Sequence, residues 1–232
     1  MRRGPRDAGR QALMAWYVFA LLDAPPLRRA GKGLSGPIAV REMAACYVAA
    51  ERRADVPPVE LGALKKHHVV VARLWKHVPA ILPVRFGTLL DSTEIADALD
   101  GKDEELAEAF DLVRGRAQFS WRAPRRDRRR TSATIIQRPD TMSGTEYLCR
   151  AARAITPPPR FSSIRRRLAP FISAERYEPS RSALPETLYH LVERKSIDAY
   201  LSAASQIPSS SSVVPTLSGP FPPYAFVPEL LG

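Results

Sequence analysis

One stretch, residues 64–88, LKKHHVVVARLWKHVPAILPVRFGT, constrains the fold of this chain more than any other. Leu61, Leu64, His68, Val71, Trp75 and Val78 recur at alternating spacings of 3 and 4, which lines one face of a helix. Pro79 is expected to end that helix, because a proline pushes the residue before it out of the α region. Residues 81–86 follow as a short apolar run closed by Gly87, and they read as a buried strand. A helix that delivers its chain directly into a strand must lay its apolar stripe on a sheet. Two residues fit that strand badly: Pro83 lacks a ladder donor, and Arg85 stands where a core strand would carry an aliphatic side chain.

The rest of the chain can be placed around this unit. Residues 1–11 read as a disordered basic tail and 16–22 as a strand. The apolar run 14–22 is followed by Asp23, Pro25 and Pro26 with no small-residue cleavage pattern, so a strand is expected there and not a signal peptide. Residues 38–40 and 43–50 read as two short strands. Asp91 or Ser92 caps a helix with Glu94 completing the box, and Asp103 opens another. Ala117, Phe119 and Trp121 alternate with Gln118, Ser120 and Arg122 as a half-buried strand. In the second half, helices are expected near 144–155, 161–172 and 196–205, and strands at 175–180, 187–192 and 213–217. The class is therefore α+β: two small domains with mixed or antiparallel sheets and helices on one face. The expected boundaries are an N-terminal domain over 12–122, a basic linker over 123–141 and a C-terminal domain over 142–232 that ends in a proline-rich brace.

Charge is concentrated. The chain of 232 residues carries a net +11. Residues 1–10, 114–130 and 165–167 contribute +3, +7 and +3, so the remainder is slightly acidic. A basic nucleic-acid-binding module is one reading of the arginines at 114–130. A solvated basic loop is the other, and it is favoured because no strand carries the interleaved aromatics of an RNA-binding sheet. No run of apolar residues is long enough to span a membrane. Cys46 and Cys149 read as reduced, buried thiols of a cytoplasmic protein.

Nothing in the sequence assembles a catalytic set. His67 and His68 are adjacent and point about 100° apart on a helix, and His77 falls on another face, so no metal pair forms. His68, on the apolar stripe, is expected to be a core histidine. Phosphate-binding glycine loops and a nucleophile elbow are both lacking. Neither an enzyme nor a cofactor is expected. Arg85 has two readings: a bidentate clamp for a partner's carboxylate, or an internal ion pair.

Two motifs together carry a family resemblance. Pro83, Val84, Arg85, Phe86, Gly87 and Thr88, preceded by a helix with His67 or His68, Val70 and Val71, resemble a hallmark of the gas vesicle protein family GvpF/GvpL. Near the far end, Ser218, Gly219, Pro220, Phe221, Pro222, Pro223, Tyr224, Ala225 and Phe226 resemble a second hallmark. A Gly-x-x-Tyr-Leu segment at Gly144, Tyr147 and Leu148 is similar as well, whereas Gln118 stands where the family usually has an acid. The resemblance implies a ferredoxin-like N-terminal half. It also implies an accessory or minor structural protein of gas vesicles that binds the hydrophobic shell protein GvpA and other accessory proteins and assists nucleation or assembly. Its exposed sheet edges would pair with partner strands. Pro83, Arg85, Phe86, Gly87, Pro220, Phe221, Pro222, Pro223, Tyr224 and Phe226 are the residues it marks as partner-binding or structural.

Overall fold

The computed structural model describes residues 15–43, 45–123, 157–180, 184–208, 215–228 and 231. They fall into two compact units, one ending at Arg114 and joined by the residues after Phe226, the other running from Gly115 to Phe226. The tail at 1–11, the helix expected near 144–155, Cys149 and nearly all of the basic linker lie outside the described residues. No helix among the described residues is long and apolar enough to cross a membrane.

The first unit contains β1 (Ala15–Leu22), β2 (Ala39–Met43), β3 (Cys46–Arg53), α1 (Leu61–Trp75), β4 (Ile81–Pro83), β5 (Leu89–Leu90), α2 (Ser92–Leu99) and α3 (Asp103–Val113). Its sheet has the order β2-β3-β1-β4, with β5 also on β1, and every pairing is antiparallel. That is the strand order of a ferredoxin-like βαββαβ sheet, with α1 as the crossover from β3 to β4. The crossover from β1 to β2 is a loop and not a helix. β1 is the most enclosed strand, from Tyr17 to Leu22 at 0–1% exposure, because it is paired on both sides.

Helix α1 is offset from the sequence expectation. It ends at Trp75, before Pro79, and buries His67, Val70, Val71, Leu74 and Trp75. The core histidine is therefore His67 and not His68. Leu61 and Leu64 stay exposed at 68% and 39%. The 3-and-4 spacing fits two adjacent stripes of this helix, and the sheet takes the one centred on Val70 and Leu74. Helix α2 starts as expected: Asp91 Oδ1 accepts from the backbone of Thr93 and Glu94 at 2.8 Å each, and Glu94 Oε2 accepts from Asp91 N at 2.7 Å.

The second unit contains β6 (Arg116–Arg122), α4 (Ser162–Leu168), β7 (Ile172–Glu178), β8 (Thr187–Glu193), α5 (Ile197–Ser205) and β9 (Thr216–Phe221). Its order, β7-β8-β6-β9, repeats that of the first unit when strands are counted within each unit. A helix lies in each crossover here, so the ferredoxin-like pattern is more complete in the half where it was not expected. The strand at 116–122 was placed in the N-terminal domain by sequence. It instead pairs along its whole length with β8, from Arg116 opposite Glu193 to Arg122 opposite Thr187. The chain therefore divides at Gly115 and not within 123–141. Gln118 and Ser120, expected on a solvated face, are 4% and 1% exposed.

A buried carboxylate fastens the β1–β2 loop. Glu51, on β3 and 1% exposed, accepts from the backbone N–H groups of Leu34, Ser35 and Gly36 and from the Ser35 hydroxyl, the last at 2.6 Å. Arg53 Nη1 stands 3.7 Å away. Burial works against the charged form, but the Ser35 hydroxyl and three amide donors outweigh it, and the Glu51 pKa is lowered. A lowered carboxylate pKa stabilises the fold above its unfolded value and withdraws that stability as pH falls through the folded value. Glu51→Ala leaves three amides without an acceptor and is expected to cost roughly 3 kcal/mol in a urea melt. The variant should also lose stability less steeply in acid than the parent.

Two interrupted edge strands as a candidate functional site

The first sequence motif is an excursion in an edge strand. β4 pairs with β1 as far as Pro83 opposite Ala20, and pairing resumes in β5 with Leu89 opposite Tyr17. Between them the chain leaves the ladder. Val84 N–H donates to the Phe19 carbonyl at 2.9 Å, and Val18 N–H donates to the Thr88 carbonyl at 3.0 Å, so both ends of the excursion are tied to β1. Thr88 Oγ1 donates to the Arg85 carbonyl at 3.0 Å, and Gly87 has φ +96°, which favours glycine. Pro83 is buried and Arg85 is exposed beyond the end of the strand. Arg85 therefore lies outside the strand in which sequence reasoning placed it.

The excursion is locked from beneath by Tyr17 and His67. The Tyr17 hydroxyl receives the Gly87 N–H at 3.2 Å and lies 2.9 Å from His67 Nδ1. A tyrosine oxygen can accept from both the amide and the ring, so the tautomer is set on the other side of the ring, where a bond donated to a backbone carbonyl puts the histidine proton on Nε2 and directs the tyrosine proton to Nδ1. The other side of the ring bonds the backbone of Val84, whose N–H is already used, so its carbonyl is the acceptor. Phe86 closes the cluster, with ring centroids 6.1 Å from Tyr17 and 5.6 Å from His67. Burial, above all, lowers the His67 pKa to about 4, keeping it neutral.

The second motif interrupts the equivalent edge of the other sheet. β9 pairs with β6 with a register shift: Ser218 lies opposite Ser120 and Phe221 opposite Gln118. Gly219 and Pro220, joined by a cis peptide bond, form the extra residues. Gly219 has φ +133°, and a Cβ there would stand 2.8 Å from the Gln118 carbonyl oxygen and from Phe119. The first part of the expected proline-rich brace is an edge strand, where a missing donor is tolerated. Past Phe221, Pro222 and Pro223 are buried, and Ala225 N–H donates to Gln118 Oε1 at 2.7 Å. Arg176 Nη1 donates to the Ala225 carbonyl at 2.8 Å. Phe221, Tyr224 and Phe226 are half-buried, and burial raises the Tyr224 pKa.

A polar chain supports this second sheet from within. Trp121 Nε1 donates to the Tyr200 hydroxyl at 2.8 Å, and that hydroxyl lies 2.9 Å from His190 Nδ1. His190 Nε2 faces Glu175 Oε2 at 3.3 Å, and Glu175 pairs with Arg165 at 2.7 Å. A carboxylate facing Nε2 can only accept, so the ring proton sits on Nε2 and Nδ1 takes the tyrosine proton. Burial lowers the His190 pKa. This resembles a relay in composition only. His190 is 0% exposed, and the cluster reads as a fastening of β7, β8 and α5 to β6.

Around the first excursion the surface is apolar. The Val56 side chain stands 3.6 Å from where a Cβ on Gly87 would lie, and Val56, Val59, Leu61 and Leu64 are all exposed. Cys46 is a free buried thiol whose pKa burial pushes up to about 11. Among the described residues no group of His, Cys, Asp and Glu is placed to hold a metal ion.

The model of the family described as gas vesicle synthesis protein GvpL/GvpF matches residues 15–228. The chain belongs to this family. Its fold is similar to that of two solved gas vesicle proteins. GvpF from Anabaena sp. PCC7120 is 14% identical, with a TM-score of 0.69 over 93% of this chain and 96% of that one. GvpF from Microcystis aeruginosa is 12% identical, with a TM-score of 0.69 over 92% of this chain and 98% of that one. No curated protein matches the chain by sequence. Both GvpL/GvpF motifs thus fall on corresponding edge strands. Sequence reasoning did not single out Tyr17, which sits among apolar neighbours, and it marked Gln118 only as a departure from the family pattern, not as the acceptor for Ala225 N–H.

Two measurements check this architecture. A histidine whose folded pKa lies near 4, below the ordinary 6.5, stabilises fully above pH 6.5 and loses that contribution as pH falls toward 4. The loss amounts to roughly 3 kcal/mol for His67, so His67→Gln should flatten the acid limb of a stability–pH profile. Gly219→Ala forces a Cβ against β6 in a left-handed conformation and is expected to destabilise by at least about 2 kcal/mol in thermal melts.

Proposed function

We propose that this GvpL/GvpF protein is an accessory or minor structural component that binds the vesicle shell protein GvpA and assists nucleation or assembly of the vesicle. The observation that carries the reading is the exposed apolar row Val56, Val59, Leu61 and Leu64 beside the excursion with Arg85 at its surface. Large apolar residues clustered at a conformationally fixed turn suit recognition of a very hydrophobic subunit, and Arg85 suits a carboxylate beside it. The buried remainder of the motif, Pro83, Phe86 and Gly87, shapes the turn. Pro220, Phe221, Pro222, Pro223, Tyr224 and Phe226 brace the second sheet or offer aromatic contact area. On this reading the protein is not an enzyme, takes no cofactor, works in the cytoplasm and at the gas vesicle, and meets other accessory gas vesicle proteins there. Nucleic acid is not a partner.

Tagged full-length protein should co-purify the shell protein, and it should bind duplex DNA no more tightly than a generic basic protein does. Leu61→Glu with Leu64→Glu should lower shell-protein capture by at least about tenfold with an unchanged melting temperature, as expected when two leucine contacts are lost. Arg85→Ala, at an exposed site, should change stability by less than about 1 kcal/mol while weakening capture. Failure of the unaltered protein to capture any vesicle protein would remove the reading. Equal capture by the Leu61/Leu64 variant would remove this surface from it.

A further inference from the structure

The second unit carries a groove that neither motif uses. It has a volume of about 640 Å³, lies along α4 and α5, and is lined by Trp121, Pro159, Ile164, Leu201, Ile207 and Leu217. The two helices pack against each other, and Leu201 remains 38% exposed in the wall. The groove is apolar at its base and basic at its rim. Of the three consecutive arginines on α4, Arg165 pairs with Glu175 and Arg167 bonds Gln206. Arg166, between them, lines the groove and has no acidic partner among the described residues. Arg160, also in the lining, is already held by Glu186.

We propose that this groove receives an amphipathic helix of a partner protein, whose apolar residues fill it and whose Asp or Glu pairs with Arg166. The groove is lined by side chains of α4 and α5 together with Trp121 of β6 and Leu217 of β9, so an occupant can pack on side chains without pairing to a strand. A helix packs in this way and can fill the volume with residues at i, i+4 and i+7. Charge complementarity selects the sign. A guanidinium at an apolar rim, left out of the pairing that satisfies its two neighbours, favours a carboxylate set beside the apolar stripe of the incoming helix. Ser162, Ser163 and Ser205 add hydroxyls along the same rim. The proposal is independent of shell-protein binding, which was argued for the first unit.

The test uses the full chain and two synthetic alanine-rich helices with Leu at i, i+4 and i+7. One carries Glu at the flanking positions and the other carries Lys, and binding is read by fluorescence anisotropy. The unaltered protein should bind the Glu peptide at least about tenfold more tightly than the Lys peptide. Arg166→Glu should reverse that preference, and Leu201→Asp should weaken both peptides, with melting temperatures unchanged because both residues are exposed. No binding of the Glu peptide, equal binding of the two peptides, or an unchanged preference in Arg166→Glu would overturn the proposal. So would displacement of the Glu peptide by a peptide of residues 142–156, which would make the occupant a segment of this chain. Concentration-dependent self-association abolished by Arg166→Glu would likewise overturn it in favour of a second copy.

Discussion

A single hydroxyl organises the first unit. Tyr17 sits on the most enclosed strand and joins three elements: its own strand, α1 through His67, and the edge excursion through Gly87. The direction of the bonds matters as much as their number. Because the Val84 carbonyl can only accept, His67 presents Nε2–H to it, and Nδ1 is left to take the tyrosine proton. Each polar atom has one role, so the turn has one conformation. A protonated His67 could not accept from Tyr17, and burial keeps it neutral. The second unit solves the same problem with Trp121, Tyr200 and His190, again with an acceptor-only group, the Glu175 carboxylate, facing Nε2. Such directed polar chains specify a packing that apolar contacts alone leave degenerate.

The edges bear on how this protein can bind. A sheet edge is open to strand addition unless it is blocked. Both family motifs fall at edges, and both block them: Pro83 and Pro220 remove donors, and the chain then bulges away from the ladder. The expectation that partner strands would extend these edges therefore does not suit the motif edges. What the interruptions create is a fixed side-chain surface. The residues that look like recognition elements in sequence divide into those that shape a turn from within, such as Phe86 and Gly87, and those left outside it, such as Arg85.

Element types were legible because they depend on local pattern. The strand at 16–22, the Asp91 cap and the hairpin at 172–193 all follow from alternation or capping chemistry. Strand partners were not legible, since pairing is non-local. Nothing in Ala117, Phe119 and Trp121 announces that their neighbours are Val192, His190 and Leu188 and not β1. This is why the unit boundary was set too late. Helix rotation failed for a related reason. α1 carries more apolar residues than one sheet can cover, so spacing alone offered two stripes, and a polar contact, Tyr17 to His67, selects between them. The site residues in the two motifs were found by resemblance, whereas Tyr17 was hidden in a strand of apolar neighbours, and Gln118, noted as a departure from the family pattern, gave no sign of its contact with Ala225 N–H.

The surplus apolar residues are then informative in their own right. An amphipathic helix that served only its own sheet would expose charge on its flanks. α1 instead exposes Leu61 and Leu64, and α5 exposes Leu201, each on the margin of a buried face. Leaving such residues in water forgoes roughly 1.5–3 kcal/mol per side chain that burial would return. A stable fold does not need them there, since the cores beneath are closed by Leu74 and Tyr200 without them. Their placement differs in chemistry. The α1 flank follows Val56, which stands beside a turn that exposes Arg85. The α5 flank lines a groove with an arginine at its rim, which suits a narrow, acidic partner. On the two proposals above, each unit offers its own surface, and the two surfaces differ in the chemistry of the partner they would select.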